Sequence, residues 1–280
     1  MWMHRLSDKP FFCTLFVATL LVVQGCQKHQ ASTEAVEKQP TALEKSLPTS
    51  PDTTTIDPHH YAEIKTPLGK MVVRLYDETP KHRDNFIKLA TSGFYDGLFF
   101  HRVMSGLMIQ GGDPNSRNNN PTDDGLGGPG YVIDSEILPY SFHKRGEVCA
   151  LQSVEVPGKS SGSQFYIVQG GEGIPKMILD DQEAQVRELT GLKDFRFSEE
   201  ARRQYSHGGG APWLDLQFSC FGEVVSGFST IDRLAQLETS RTLGEAEPLP
   251  SLLDRPRQIQ KARMTVKMLE KFSVDGIKVH

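Results

Sequence analysis

Residues 99–114 read FFHRVMSGLMIQGGDP. Arg102 stands there among apolar residues, and a methionine, a glutamine and two glycines follow. FFHRV and LMIQG are strand-like runs about a Ser-Gly turn. A guanidinium in so apolar a setting carries a desolvation cost, so it needs a task that repays it. On either side the chain is of the same kind. GEVCAL, SQFYIV and FSCFGEVV read as further short strands, separated by Gly-rich loops such as NNNPTDDGLGGPG. Upstream, YAEIKT and MVVRLYDE flank the turn PLGK, which predicts a hairpin. In ETPKHRDNFIKLATSGFYDG, Thr79 is placed to cap a helix and Pro80 to open it. Phe86, Leu89 and Ala90 share its buried face, and Gly93 ends it. A second helix is expected at FSTIDRLAQLE, with Phe228, Ile231, Leu234 and Ala235 on one face, and a last half-buried strand where Met264, Val266 and Met268 alternate with polar residues. Regular short strands with few helices predict a mainly β closed barrel or sandwich. No internal repeat is visible.

The first sixty residues differ from the rest. Arg5 and Lys9 precede FFCTLFVATLLVV, an apolar run too short for a spanning helix and typical of a signal peptide. Gly25 before Cys26 resembles a bacterial lipoprotein processing site, which makes residues 1–25 the signal and Cys26 the lipidated N-terminus of the mature chain, with the membrane as partner through that anchor. Each buried CH₂ of an acyl chain adds about 0.8 kcal/mol of membrane affinity. Gln27 lacks the aspartate associated with inner-membrane retention, so the expected location is the outer membrane, facing the periplasm. Residues 26–60, rich in Thr, Ser, Pro and charge, read as a disordered tether whose ends lie roughly 30 Å apart. A domain over residues 61–275 follows. His59 and His60 are read as part of the solvated tail rather than a metal site.

Acidic residues (35) slightly outnumber Lys plus Arg (31), and the basic residues are scattered, which argues against a nucleic-acid partner. Cys149 and Cys220 lie in apolar runs where a thiol packs as a small hydrophobe, although an exported compartment also permits a disulfide. GKSSG at residues 158–162 has the letters of a nucleophile elbow, but a strand rather than a helix follows it, so Ser160 is not read as a nucleophile. The acidic loop before Gly125 lacks the oxygen spacing of a calcium site.

Three motifs in order, FFHRVMSGLMIQGGD, SGSQFYIV and WLDLQFSCFGEV, resemble the cyclophilin family of peptidyl-prolyl cis–trans isomerases, and the likeness covers most of residues 61–272. It implies a closed eight-stranded β-barrel capped by two α-helices, a cofactor-free and monomeric enzyme, and proline-containing polypeptides as partners. It also implies Arg102 and Gln110 as catalytic residues. Met108, Tyr166 and Leu214 would seat the proline ring, with Leu107 beside them. Leu151 and Gln152 would face the substrate, and Trp213 would border the pocket and favour cyclosporin-type ligands. Leu107 and Tyr166 stand where many members have phenylalanine, and Phe218 where eukaryotic members have histidine. Residues 170–212 replace a short loop with charged, helix-forming sequence, an insertion that resembles those of lipoprotein cyclophilins of the Bacteroidetes type. The expected activity is isomerisation of X–Pro bonds in folding proteins of the cell envelope. The alternative is a non-catalytic peptide-binding or chaperone lipoprotein on the same fold.

Overall fold

A computed structural model describes residues 59–118, 120–153 and 155–270. The signal segment, Cys26 and nearly all of the tether lie outside these residues, as does the end of the expected domain. Among the described residues no helix is long and apolar enough to cross a membrane.

Nine strands make one antiparallel sheet: β1 (Tyr61–Thr66), β2 (Gly69–Leu75), β3 (Arg102–Met104), β4 (Met108–Gly111), β5 (Val132–Asp134), β6 (Glu147–Gln152), β7 (Lys159–Val168), β8 (Cys220–Ser226) and β9 (Thr265–Leu269). Their order is β3-β4-β7-β6-β8-β2-β1-β9, with β5 also paired to β7. The expected hairpin is β1–β2, in register from Tyr61↔Arg74 to Thr66↔Gly69.

The expectation of a closed eight-stranded barrel is corrected on two counts: among the described residues there are nine strands, and the curled sheet is open. Its edge strands explain why. β3 has three residues and β9 has five, and among the described residues no ladder joins them. Only the segments preceding them meet, through Gly97 N–H to Met264 O (3.0 Å), Met264 N–H to Leu98 O (2.7 Å) and Phe100 N–H to Ala262 O (3.0 Å).

Helix α1 (Pro80–Thr91) buries His82, Phe86, Leu89 and Ala90 against the sheet. Its cap departs from expectation, because the buried Thr79 side chain makes no capping bond. Glu136, from a distant loop, accepts the N–H groups of Lys81 (3.1 Å) and His82 (3.0 Å) instead, supplying negative charge where the helix dipole favours it. The insertion folds as α2 (Lys176–Thr190) and α3 (Glu199–Gly208), around a cluster that includes Leu179, Val186, Phe197 and Tyr205. Helix α4 (Phe228–Ala235) buries Thr230, Ile231, Leu234 and Ala235, whereas Phe228, expected on that face, is 37% exposed. Two short helices, α5 (Ser240–Leu243) and α6 (Ile259–Ala262), flank a 3-10 turn at Pro250–Asp254 before the last strand. Cys149 and Cys220 face each other across β6 and β8 and form a disulfide.

The main core is centred on Phe165 of β7. Its ring meets Phe86 (5.8 Å between centroids), Tyr95 (5.7 Å) and Phe100 (6.2 Å) edge to face, and Phe221 packs on Phe86 at 5.6 Å. Each such pair adds to the stability from buried area. Phe165→Ala is expected to destabilise the protein by about 3–5 kcal/mol, read as a lower urea midpoint at unchanged slope. A change under about 1 kcal/mol would show that the ring cluster is not the centre of the core.

Candidate active site

Side chains alternate across a strand, and residues directly opposite on neighbouring strands share a face. In this sheet Val103, Ile109, Ile167 and Val148 face the main core. The residues between them face the other way and line up in register: Arg102↔Gln110, Gln110↔Tyr166, Tyr166↔Cys149 and Cys149↔Cys220. The FFHRVMSGLMIQ stretch thus forms two strands that set a charge and an amide side by side, next to the Tyr166 ring on β7.

Arg102 lies at the rim, its side chain 39% exposed. Its Nε donates to Asp254 Oδ2 at 3.3 Å, and among the described residues its Nη groups make no hydrogen bond. Asp254, almost wholly buried at the end of the 3-10 turn, also accepts from Arg241. Opposite Arg102, the buried Gln110 donates through Nε2 to Gln164 Oε1 (3.1 Å) and lies 3.2 Å from His101 Nε2. Its Oε1 has no hydrogen-bond partner among the described residues. Gln164 Nε2 in turn holds the Gly-rich loop through the carbonyls of Gly125 (2.9 Å) and Gly127 (2.8 Å). Buried Asp113 accepts the N–H groups of Asn115 (2.8 Å) and Gly125, tying the same loop to the GGD turn. Gly112 has φ +87°, and a Cβ there would strike the Ser163 carbonyl.

An apolar cluster adjoins this row. Met108, Tyr166, Val168, Ala211 and the two cysteines form its buried part, with Leu107, Leu151, Trp213, Leu214 and Phe218 packed against them. Trp213 and Leu214 arrive on a short 3-10 turn, Pro212–Leu214, directly after the insertion. Phe218 meets Tyr166 edge to face at 5.5 Å. Gln152 is the predicted residue placed elsewhere. It is exposed, bonds to Gln217 O (2.8 Å), and with Leu151 and Gln164 lines a neighbouring groove of about 380 Å³.

Sequence reasoning missed Asp254, His143, Asp215 and Tyr205. His143 Nδ1 is 2.8 Å from Asp215 Oδ1, and its Nε2 is 2.9 Å from the Tyr166 hydroxyl. Asp215 lay within the quoted WLD motif, but nothing local announced its partners. Among the described residues, His143, Cys149 and Cys220 bring potential metal ligands within 4.8 Å of one another. Bonded to each other, the two sulfurs offer no thiolate to an ion.

Burial, aided by the nearby charges of Arg102 and Arg255, pushes the His101 pKa from 6.5 down to about 3. The folded chain therefore refuses a proton that the unfolded chain accepts. Stability from this group is complete above about pH 6.5 and drains as pH falls toward 3, by up to about 1.4 kcal/mol per unit. The His101 ring signals should stay at their neutral positions down to pH 4 in an NMR titration. A midpoint near 6 would show that the ring is hydrated.

Comparison with known proteins places the chain in a family. The family model for cyclophilin type peptidyl-prolyl cis-trans isomerases matches residues 61–253. A Staphylococcus haemolyticus protein named as a peptidyl-prolyl cis-trans isomerase is 34% identical over 61% of this chain and 78% of its own length. A Staphylococcus aureus protein of the same name is 33% identical over 61% and 79%. The crystal structure of a cyclophilin type isomerase from Cryptosporidium parvum superposes with a TM-score of 0.50, covering 75% of this chain and 97% of that one at 22% identity, a likeness of fold alone. The matched family model and these relatives establish that the chain belongs to the cyclophilin-type peptidyl-prolyl cis-trans isomerase family.

Proposed function

We propose that Arg102 and Gln110 catalyse isomerisation of X–Pro bonds seated in the Met108–Tyr166 pocket, on folding proteins at the cell envelope. The observation that carries the catalytic part is the pairing of Arg102 with Gln110 across β3 and β4, beside the apolar cluster of Met108 and Tyr166.

Rotation about an X–Pro bond faces a barrier of about 18–20 kcal/mol, because the nitrogen lone pair is shared with the carbonyl. In the twisted state that lone pair is localised on nitrogen and can accept a hydrogen bond. A donor aimed at it therefore stabilises the transition state more than either ground state. A guanidinium is always protonated and offers several N–H groups. With Nε held by Asp254, the Nη groups of Arg102 remain for the imide nitrogen. Met108, Tyr166, Leu107, Leu214 and Phe218 give the proline ring an apolar seat, and Trp213 closes one side. Gln110 Oε1 suits a substrate backbone N–H, which would hold one side of the bond while the other turns. Residues Leu151 and Gln152, on the adjoining groove, would meet the chain beyond the proline. A charge-assisted hydrogen bond in a partly dry cleft is worth a few kcal/mol, or two to three orders of magnitude in rate.

The envelope location rests on the signal-like residues 1–25, the Gly25–Cys26 junction and the Ser/Thr/Pro-rich segment after it. The 170–212 insertion, like those of Bacteroidetes lipoprotein cyclophilins, points the same way. A Cys149–Cys220 disulfide supports export, since such bonds persist in oxidising compartments. Lipidated Cys26 would anchor the chain while the tether lets the domain reach its substrates.

Arg102→Ala is expected to lower kcat/KM for an X–Pro peptide by two to three orders of magnitude, at about the same folded stability. Exchange at the spontaneous rate with the unaltered protein would remove catalysis from the proposal, and equal activity in both would remove Arg102. For the anchor, Cys26→Ala should shift the protein from the membrane pellet to the supernatant of fractionated cells. Full retention in the pellet counts against lipidation.

A further inference from the structure

The insertion reaches the proline pocket through a chain of buried polar groups. Tyr205, on α3 and with no exposed surface, places its hydroxyl 2.8 Å from each Asp215 oxygen. Asp215 Oδ1 also accepts the backbone N–H of His143 (2.8 Å) and lies 2.8 Å from its Nδ1. His143 Nε2 is 2.9 Å from the hydroxyl of Tyr166, whose ring belongs to the apolar cluster proposed as the prolyl seat. All four side chains are 3% exposed or less.

The geometry suits one order of donors and acceptors in particular. A carboxylate at Asp215 accepts from Tyr205 O–H and from His143 Nδ1–H. An imidazole whose proton is on Nδ1 offers Nε2 as an acceptor to Tyr166 O–H. Burial, aided by the nearby Asp215 charge, raises the pKa of both phenols well above the ordinary value, so both keep their protons. The imidazole and the Tyr166 ring stack with 10° between their planes, and Phe218 meets both edge to face. A phenylalanine at position 166 would have nothing to give His143. The hydroxyl is where the chain of bonds enters the pocket.

We propose that Tyr205, Asp215 and His143 are positioning residues that fix the Tyr166 ring against the proline, so that the 170–212 insertion sets how tightly the pocket binds a prolyl segment. The proposal rests on the pocket being the prolyl site. None of the three touches substrate; each acts through the next. The insertion is then a brace on the pocket wall, tied at Tyr205 and continuous in sequence with Trp213 and Leu214.

Prolyl-peptide affinity by calorimetry and isomerase kinetics, measured on the full chain, test it together. Tyr205→Phe removes one hydroxyl from the far end of the chain. It should weaken peptide affinity and raise KM about threefold to tenfold, with kcat within about twofold. Tyr166→Phe should do the same, and the double variant should be no worse than Tyr166→Phe alone, because Tyr205 acts through that hydroxyl. Unchanged affinity in Tyr205→Phe, or additive losses in the double variant, overturns the proposal, even if melting temperatures fall. The ¹⁵N shifts of His143 in the unaltered protein test it without any substitution. Protonation at Nδ1 is required, and a ring protonated at Nε2 refutes the order of donors. If the unaltered protein binds the peptide without accelerating exchange, the catalytic reading fails while the affinities still decide the brace. Absence of peptide binding overturns both.

Discussion

Strand β7 hydrogen-bonds to β4, β5 and β6, and the two-residue period of its backbone sorts everything near it into core or pocket. Phe165 and Ile167 go to the core, and Tyr166 and Val168 go to the pocket. A slip of one residue would turn Phe165 away from its ring partners Phe86, Tyr95 and Phe100, and would carry Tyr166 into the apolar core, away from His143. Neither arrangement is stable, so register and site are fixed by the same constraint. Gly112 belongs to it as well, because only a residue without Cβ lets the GGD turn lie this close to β7 at Ser163.

A guanidinium beside an apolar pocket must be held at the rim, or water will draw it away. Asp254 does this from a segment 152 residues later in the chain. Sharing the carboxylate between Arg102 and Arg241 sets two cations against one buried anion, which leaves Arg102 part of its charge uncompensated. The neutral state of His101 follows from the same surroundings, since burial and the neighbouring arginines both oppose a further positive charge. Polar groups near the site thus divide into those that hold position through backbone carbonyls, such as Gln164, and those facing the opening, such as Arg102.

Local signals were enough for the hairpin, α1, α4 and the helical character of the insertion, because periodicity and turn residues act over a few positions. Closure of the barrel is a different kind of question. It depends on how far β3 and β9 extend toward each other, and α6 together with the short β3 stops them. The cap of α1 was misread for a related reason: Thr79 is a good cap by type, yet Glu136 reached the N–H groups first. In the site, Arg102, Gln110 and Tyr166 stood in motifs whose spacing carries their register. Their supports did not, since His143 and Asp215 are 72 residues apart and neither has an unusual neighbourhood in sequence.

The disulfide joins these observations. It links strands already paired in register, across a separation of 71 residues, and in the loop-entropy account such a bond stabilises by about 4 kcal/mol, mainly by restricting the unfolded chain. It also has a local consequence. Cys220 Sγ lies 3.6 Å from His143 Nε2, the atom that the proposed order makes the acceptor of the Tyr166 hydroxyl. A free S–H there would be a second donor within reach of that lone pair. In the disulfide neither sulfur has a hydrogen to give, so in that order Tyr166 meets no competing donor from Cys220. The bond that secures the floor of the pocket therefore also removes a rival donor from the chain of bonds that holds its wall.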